Sequence, residues 1–315
     1  MRPRCLSASC CALALILCPA SVDAQDLLVA SQGTDQVLRY NGTTGAPMGV
    51  FASGSFDGPE AMTYGPDGNL YVIGAFSNNV VRFNGATGAF IDEFVASGSG
   101  GLSNPTDLDF GPDGHLYVLP HGSLGSESVW KYNGSTGAFI GLFGAGGGME
   151  HTHGLTWGPD SNLYHGRLGG ATIARFNSSG ASLGELGPHS GLSTLSDLAF
   201  GPDGNIYVTS ISPGGVLRYD GSTGAFIGEF VPSGVPTWGI RFGPDSKLYV
   251  GFTSSVSLVN RYDAITGALI DEFVSDGEGG LLFPFGFAFT PIPEPGGLAI
   301  AALAGATVLH RRRRR

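Results

Sequence analysis

A phrase of eight residues, Gly111-Pro112-Asp113-Gly114-His115-Leu116-Tyr117-Val118, recurs with variation from residues 65, 158, 201 and 243. A second phrase, Tyr132-Asn133-Gly134-Ser135-Thr136-Gly137-Ala138-Phe139-Ile140, has echoes beginning at Tyr40, Phe83, Phe176, Tyr219 and Tyr262. The first recurs at steps of 46, 47, 43 and 42 residues, and the Gly-Ala pair of the second at steps of 43, 49, 43, 44 and 43. A period of this size restricts the chain to a repeat architecture, in which each unit buries its faces only against its neighbours.

One unit, residues 105–143, shows what is repeated. Leu108 and Phe110 alternate with Asp107 and Asp109, the pattern of a strand with one buried face. Gly111-Pro112-Asp113-Gly114 is a tight turn, because proline presets φ and the last glycine takes positive φ at little cost. Residues 116–118 and 128–132 read as second and third strands, Asn133-Gly134-Ser135-Thr136-Gly137 as another turn, and residues 138–143 as a fourth strand. Four short antiparallel strands in about 45 residues make one propeller blade. The expected fold class is all-β.

The two ends settle the blade count. The second phrase occurs six times and the Gly-Pro-Asp phrase five times. The first repeat begins late, at Asp26-Leu27-Leu28-Val29, which matches a second strand. The last ends late, at Pro284-Phe285-Gly286-Phe287-Ala288-Phe289, which matches a first strand. The remnants add up to one blade, so six blades close into a ring with the C-terminal strand completing the N-terminal blade. The expected blades are residues 26–51 with 283–290, then 58–95, 104–143, 151–187, 194–231 and 235–274. Closure leaves only short, protected sheet edges.

Residues 1–24 read as a secretory signal: Arg2 and Arg4 precede an apolar run at 6–17, and Val22-Asp23-Ala24 offers small residues before a cut at Gln25. Cys5, Cys10, Cys11 and Cys18 all lie in this segment, so a processed chain has no disulfide and no cysteine ligand. Residues 25–292 carry 24 of the 26 acidic and 9 of the 16 basic residues, a net charge of 9 − 24 = −15. Nucleic-acid phosphates need a basic surface, which this balance excludes.

Residues 291–315 combine Pro293-Glu294-Pro295, an uncharged apolar run at 296–309, His310 and a block of five arginines. Fourteen helical residues rise about 21 Å, short for a bilayer core of about 30 Å, but flanking arginines snorkel and the bilayer thins. The arginines would stay cytoplasmic, leaving the ring outside. The tail resembles the PEP-CTERM sorting signal of Gram-negative-type bacteria. That resemblance implies an exosortase-type membrane protease as partner, a transient inner-membrane anchor, and export to the cell surface or the extracellular matrix. The ring itself, through phrases such as residues 105–118, resembles NHL-repeat and related six-bladed propellers, including the streptogramin lyase-like and gluconolactonase-like groups. It departs from NHL repeats where they carry Asp after the Tyr-Val pair: the corresponding positions are Gly74, Pro120, Arg167, Ser210 and Phe252. The resemblance therefore implies the fold more than an activity.

In each blade the first strand should line the central channel. Alignment on the Gly-Pro turn puts Ala61, Asp107, Gly154, Asp197, Gly239 and Gly286 at one level, and Glu60, Thr106, His153, Ser196, Trp238 and Phe285 at the next. His151 lies two residues before His153, and His121 and Arg167 end second strands at the same rim. Glu60, Asp107, His151, His153 and Asp197 thus converge as expected ligands for a divalent cation, carboxylates and imidazoles being its usual donors. His121, Arg167, Trp238 and Phe285 are the expected ligand-binding side chains, with Trp238 and Phe285 suited to sugar stacking. Tyr64, Phe110, Trp157, Phe200, Phe242 and Phe289 share one repeated position, as core packing between blades requires. Asn41, Asn133 and Asn177 match glycosylation sequons but belong to the repeat's turns.

No nucleophile elbow, phosphate loop or mature cysteine is present in the sequence. The expected function is therefore that of an exported surface or matrix protein binding polysaccharide or protein. The alternative is a metal-assisted lyase or lactonase that uses the acidic and histidine residues of the rim.

Overall fold

The computed structural model describes residues 25–121, 128–144, 153–167, 172–187, 194–212, 214–232 and 234–291. The expected signal segment, the expected sorting tail beyond residue 291 and His151 lie outside the described residues. Within them the chain forms six four-stranded antiparallel sheets. Five follow sequence order from the inner strand outward, and the sixth joins Pro284–Phe289 to Leu27–Ser31, Gln36–Tyr40 and Pro47–Ser53. Blade 1 is this composite sheet, and blades 2 to 6 follow along the chain. Their inner strands are Pro59–Tyr64, Pro105–Phe110, Leu155–Trp157, Thr194–Phe200 and Thr237–Phe242.

The seam of blade 1 pairs Leu27 with Phe289, Leu28 with Ala288 and Val29 with Phe287. Its ends are tied further: Thr290 N donates to Asp26 O at 2.9 Å, and the Gln25 side chain donates to Thr290 O at 2.7 Å. The Tyr40 hydroxyl donates to the carbonyl of Glu278 at 2.8 Å, fixing the approach of the last strand. The ring therefore closes as expected, with the C-terminal strand completing the N-terminal blade.

Six apolar clusters fill the six gaps between neighbouring blades, as expected of sheets that are each too thin to bury two faces alone. One unit recurs in them. The tyrosine after each Gly-Pro-Asp turn meets the aromatic side chain of the next blade's inner strand edge-on. The pairs Tyr71–Phe110, Tyr117–Trp157, Tyr164–Phe200 and Tyr207–Phe242 have ring centroids 4.9 Å apart, and Tyr249–Phe289 5.0 Å. Such aromatic pairs contribute about 0.5–1.5 kcal/mol beyond their buried area. Each tyrosine hydroxyl donates to the aspartate of its own turn: Asp67, Asp113, Asp160, Asp203 or Asp245. That aspartate also caps the turn from within, as Asp113 does by accepting the His115 N–H. The Gly-Pro-Asp phrase thus sets both the hairpin and the stacking of blade on blade.

The second phrase supplies close approach. A Cβ on Gly137 would stand 1.7 Å from the carbonyl oxygen of Phe94 in the preceding blade, and one on Gly88 would stand 1.8 Å from that of Phe51. Both glycines also hold positive φ, so a side chain is refused on two grounds. The outer strands leave Phe90, Ile91, Phe139, Ile140, Phe226 and Ile227 at the periphery.

The seam should be costly to disturb and the periphery cheap. Phe287→Ala should lower unfolding free energy in urea by about 3–5 kcal/mol, because Phe287 is 4% exposed inside the seam cluster. Phe139→Ala, at 39% exposed, should change it by well under half of that.

Candidate functional site at the channel mouth

Both levels of side chains read from the inner strands face one cavity of about 30 Å³, room for roughly two waters. Its upper ring is Glu60, Thr106, His153, Ser196, Trp238 and Phe285; its lower ring includes Asp107, Gly154, Asp197 and Gly286. Two consecutive residues of one strand face the channel because the pairing slips there: register shifts fall between Pro59 and Met62, Pro105 and Asp107, Leu195 and Asp197, and Thr237 and Ile240. Such a bulge re-aims the side chain at the strand's start.

The aspartates of the lower ring act chiefly between blades. Asp107 accepts the N–H of Leu108 in its own strand and the N–H of Leu155 in blade 4. Asp197 repeats the arrangement two blades on, accepting Leu198 N–H at 2.7 Å and Ile240 N–H of blade 6 at 3.1 Å. Asp109, one turn of the alternation further in, likewise accepts from Phe110 and Trp157. At the matching positions Gly154, Gly239 and Gly286 let backbones approach: a Cβ on Gly239 would stand 2.0 Å from the carbonyl of Phe285. Burial, and then the charge of Asp197, push the Asp107 carboxyl well above the usual carboxylate range, against the two N–H donations. Burial pushes Asp197 up to about 7, opposed by its N–H donors and by Arg241. Arg241 also opposes the rise that burial imposes on Asp109. Beneath the mouth, Asp109, Thr156, Ala199 and Arg241 line a second cavity of about 40 Å³.

The upper ring carries a cluster of aromatic side chains and one acid, Glu60. Trp238 and Phe285 have ring centroids 4.4 Å apart, His153 meets Trp238 at 5.4 Å, and His121 meets His153 at 5.7 Å. All four are partly buried, the His153 side chain being 12% exposed. Trp238 is held from below, since its carbonyl accepts from Thr209, and the adjacent Thr237 carbonyl accepts from Ser196. Glu60 accepts a hydrogen bond from Gln32 Nε2 at 2.9 Å through Oε1. Its Oε2 is buried without a hydrogen-bond partner and stands 4.0 Å from His153 Nδ1. Burial pushes Glu60 up to about 8, the Gln32 hydrogen bond opposing the rise, so its carboxyl is largely protonated at neutral pH. A neutral carboxyl beside an imidazole can donate to one oxygen of a bound group while accepting from another, or pass a proton between them.

The expected cation ligands thus divide. Glu60 and His153 face each other, Asp107 and Asp197 lie one level deeper with both oxygens on backbone N–H groups, and His151 is outside the described residues. Among the described residues no three His, Asp or Glu side chains are grouped to hold one ion. Of the expected ligand-binding residues, His121, Trp238 and Phe285 gather at the mouth. Arg167 turns to the outer strand of its own blade and pairs with Glu185. Gln32, Asp109 and Arg241 were not legible as site residues. Asp109 continues the alternation set by Asp107, which was the available signal; Gln32 reaches in from the loop after the blade 1 seam. His165 occupies a position that is valine in most repeats; it is fully buried, stacked on Phe176, and desolvation lowers it to about 4.

No protein-family model matches the chain, and no curated protein does. Solved structures do. A protein of unknown function from Bacteroides caccae superposes with a TM-score of 0.65 over 86% of this chain and all of its own, at 13% identity. A streptogramin B lyase gives 0.50 over 66% of this chain and 70% of its own, at 18% identity. Virginiamycin B lyase from Staphylococcus aureus gives 0.49, at 16% identity. At such identities the likeness is one of fold.

The raised carboxyl makes a stability prediction. Glu60 holds its proton longer in the folded chain than in the unfolded one, so its stabilisation is complete below the ordinary carboxyl value of 4.5 and is lost as pH rises through about 8. Asp107 and Asp197 act in the same direction. Melting temperature should fall between pH 5 and pH 9, and Glu60→Gln should flatten part of that fall. An unchanged slope in the variant would show that Glu60 ionises normally.

Proposed function

We propose that the chain is an exported propeller that binds extracellular polysaccharide at its channel mouth. The observation that carries this reading is the aromatic cluster of Phe285, Trp238, His153 and His121, partly buried at the channel mouth beside Glu60. Aromatic faces stack on the apolar faces of sugar rings, and the Glu60 carboxyl and His153 supply a donor and acceptors for hydroxyl groups. The cavity below takes roughly two waters and no sugar ring, so a polymer would lie across the mouth and send a single substituent inward. Export and surface sorting fit the N-terminal signal and the tail at residues 291–315, with an exosortase-type protease as the processing partner.

A second reading has one observation in its favour. Glu60, raised to about 8, and His153 nearby form an acid–base pair suited to a lyase or lactonase. Incubation with lactones and cyclic depsipeptides, with and without Mg²⁺ or Mn²⁺, separates the two: turnover that disappears in Glu60→Gln would establish the second reading and displace the first.

For binding, Trp238→Ala should weaken retention on polysaccharide affinity gels roughly tenfold or more, while Trp238→Phe retains most of it. Equal retention by wild type and Trp238→Ala would remove the mouth as the binding surface. Deleting residues 291–315 should shift the protein from the cell surface to the culture medium or the periplasm, read by fractionation and immunoblotting.

A further inference from the structure

The third strand of each blade carries a cation one residue before its last aromatic: Arg39, Arg82, Lys131, Arg175, Arg218 and Arg261. In blades 2 and 6 the residue opposite on the outer strand is an aspartate, Asp92 facing Arg82 and Asp271 facing Arg261. Both arginines grip it with two prongs, through Nε at 3.0 and 3.1 Å and through Nη2 at 2.6 Å in each case. Each also keeps the turn aspartate close, Asp67 at 3.6 Å and Asp245 at 3.7 Å. One guanidinium in this setting therefore holds two carboxylates.

In blade 5 the second carboxylate is missing. Gly228 faces Arg218, and a Cβ on Gly228 would meet nothing within 4 Å, so the space filled by Asp92 in blade 2 is open. Three other blades also have glycine here, but their cations are turned elsewhere. Arg39 pairs with Asp26, Lys131 with Asp113, and Arg175 donates through Nη2 to the Leu183 carbonyl, its Nε being buried without a hydrogen-bond partner. Arg218 lies over the Phe230 ring at 5.5 Å, and its Nε is buried with no hydrogen-bond partner among the described residues.

Arg218 also forms one wall of a groove of about 320 Å³ between blades 5 and 6. This groove is on the face of the Gly-Pro-Asp turns, opposite the channel mouth. Pro202, Ala264 and Ile265 give it apolar surface, with Ile265 83% exposed; Ser246, Lys247 and Asp263 give it polar groups. Its volume is that of a small-ligand pocket rather than a hydration site. We propose that the groove binds a hexuronate residue of an acidic polysaccharide, whose carboxylate meets the Arg218 guanidinium where it lines the groove, as a second carboxylate beside Asp203. The apolar wall suits a sugar-ring face and Ser246 can bond a ring hydroxyl, while Lys247 is held at 3.2 Å by Asp263 across the groove. The arginine fork recognises a planar carboxylate in two-pronged fashion.

The proposal does not rest on the channel-mouth reading. Isothermal titration of the protein with galacturonate and glucuronate oligomers should show binding to at least one of them. Carboxyl-reduced, neutral oligomers should bind roughly 10- to 100-fold more weakly. Gly228→Asp should restore the blade 2 arrangement, raise the melting temperature and abolish uronate binding; Arg218→Gln should abolish binding without the gain in stability. Ile140→Ala, on the exposed outer strand of blade 3, should leave it unchanged. The proposal is overturned by an absence of uronate binding, by undiminished binding in Gly228→Asp, by equal affinity for neutral oligomers, or by acidic peptides binding in preference to the sugars.

Discussion

Two fragments from opposite ends of the chain must make one sheet, and the rest of the molecule depends on that pairing. Leu27–Ser31 has no inner neighbour until Pro284–Phe289 arrives, and each blade face is covered only by the next blade. Without the seam, Leu27, Leu28 and Val29 would lose the cover that leaves them fully buried. The apolar clusters on both sides of blade 1 would open with it. Long-range pairing of this kind carries a high entropic cost before it yields contacts, and the repeated tyrosine–aromatic pairs of the other five blades offset it.

Ring closure also explains why so much charge sits at the centre. Inner strands from six blades converge on a narrow axis, where their first residues meet whatever their chemistry. Glycine at three positions of one level allows backbones to touch, and aspartate at two others bridges the gap by accepting N–H groups from the next blade. Buried carboxyls with raised proton affinity follow from that arrangement. Glu60 differs from the two aspartates because one of its oxygens finds no donor, and this buried oxygen lies 4.0 Å from His153 Nδ1.

The repeat made the fold legible. Turn chemistry fixed the hairpins, alternation fixed the faces, and the unequal phrase counts fixed both the number of blades and the composite sheet. The two channel levels were also readable, because alignment on one turn transfers register from blade to blade. What sequence did not convey was what each polar side chain does there. Asp107 and Asp197 have the composition of cation ligands, yet their oxygens are engaged by Leu155 and Ile240 N–H groups that only the packed ring brings near. Arg167 ends its strand at the rim level, but its long side chain reaches sideways to Glu185. Gln32 sits in a short 3₁₀ turn whose proximity to Glu60 depends on blade 1 being closed. Departures from the repeat were the better guide: Trp238 and Phe285 each break the pattern of their level, placing an indole and a phenyl ring where the other blades have neither.

Native-state hydrogen exchange at the seam tests the closed ring most directly. If the seam is part of the same cooperative unit as the five continuous blades, the hydrogen-bonded amides of Leu27–Ser31 and Pro284–Phe289 should exchange only through global unfolding, with the same free energy as those of Leu116–Pro120. Exchange of the seam amides at a much lower free energy, while the other blades stay protected, would mean that the ring opens independently, and the mouth built around Glu60 and Phe285 would then not be a fixed site.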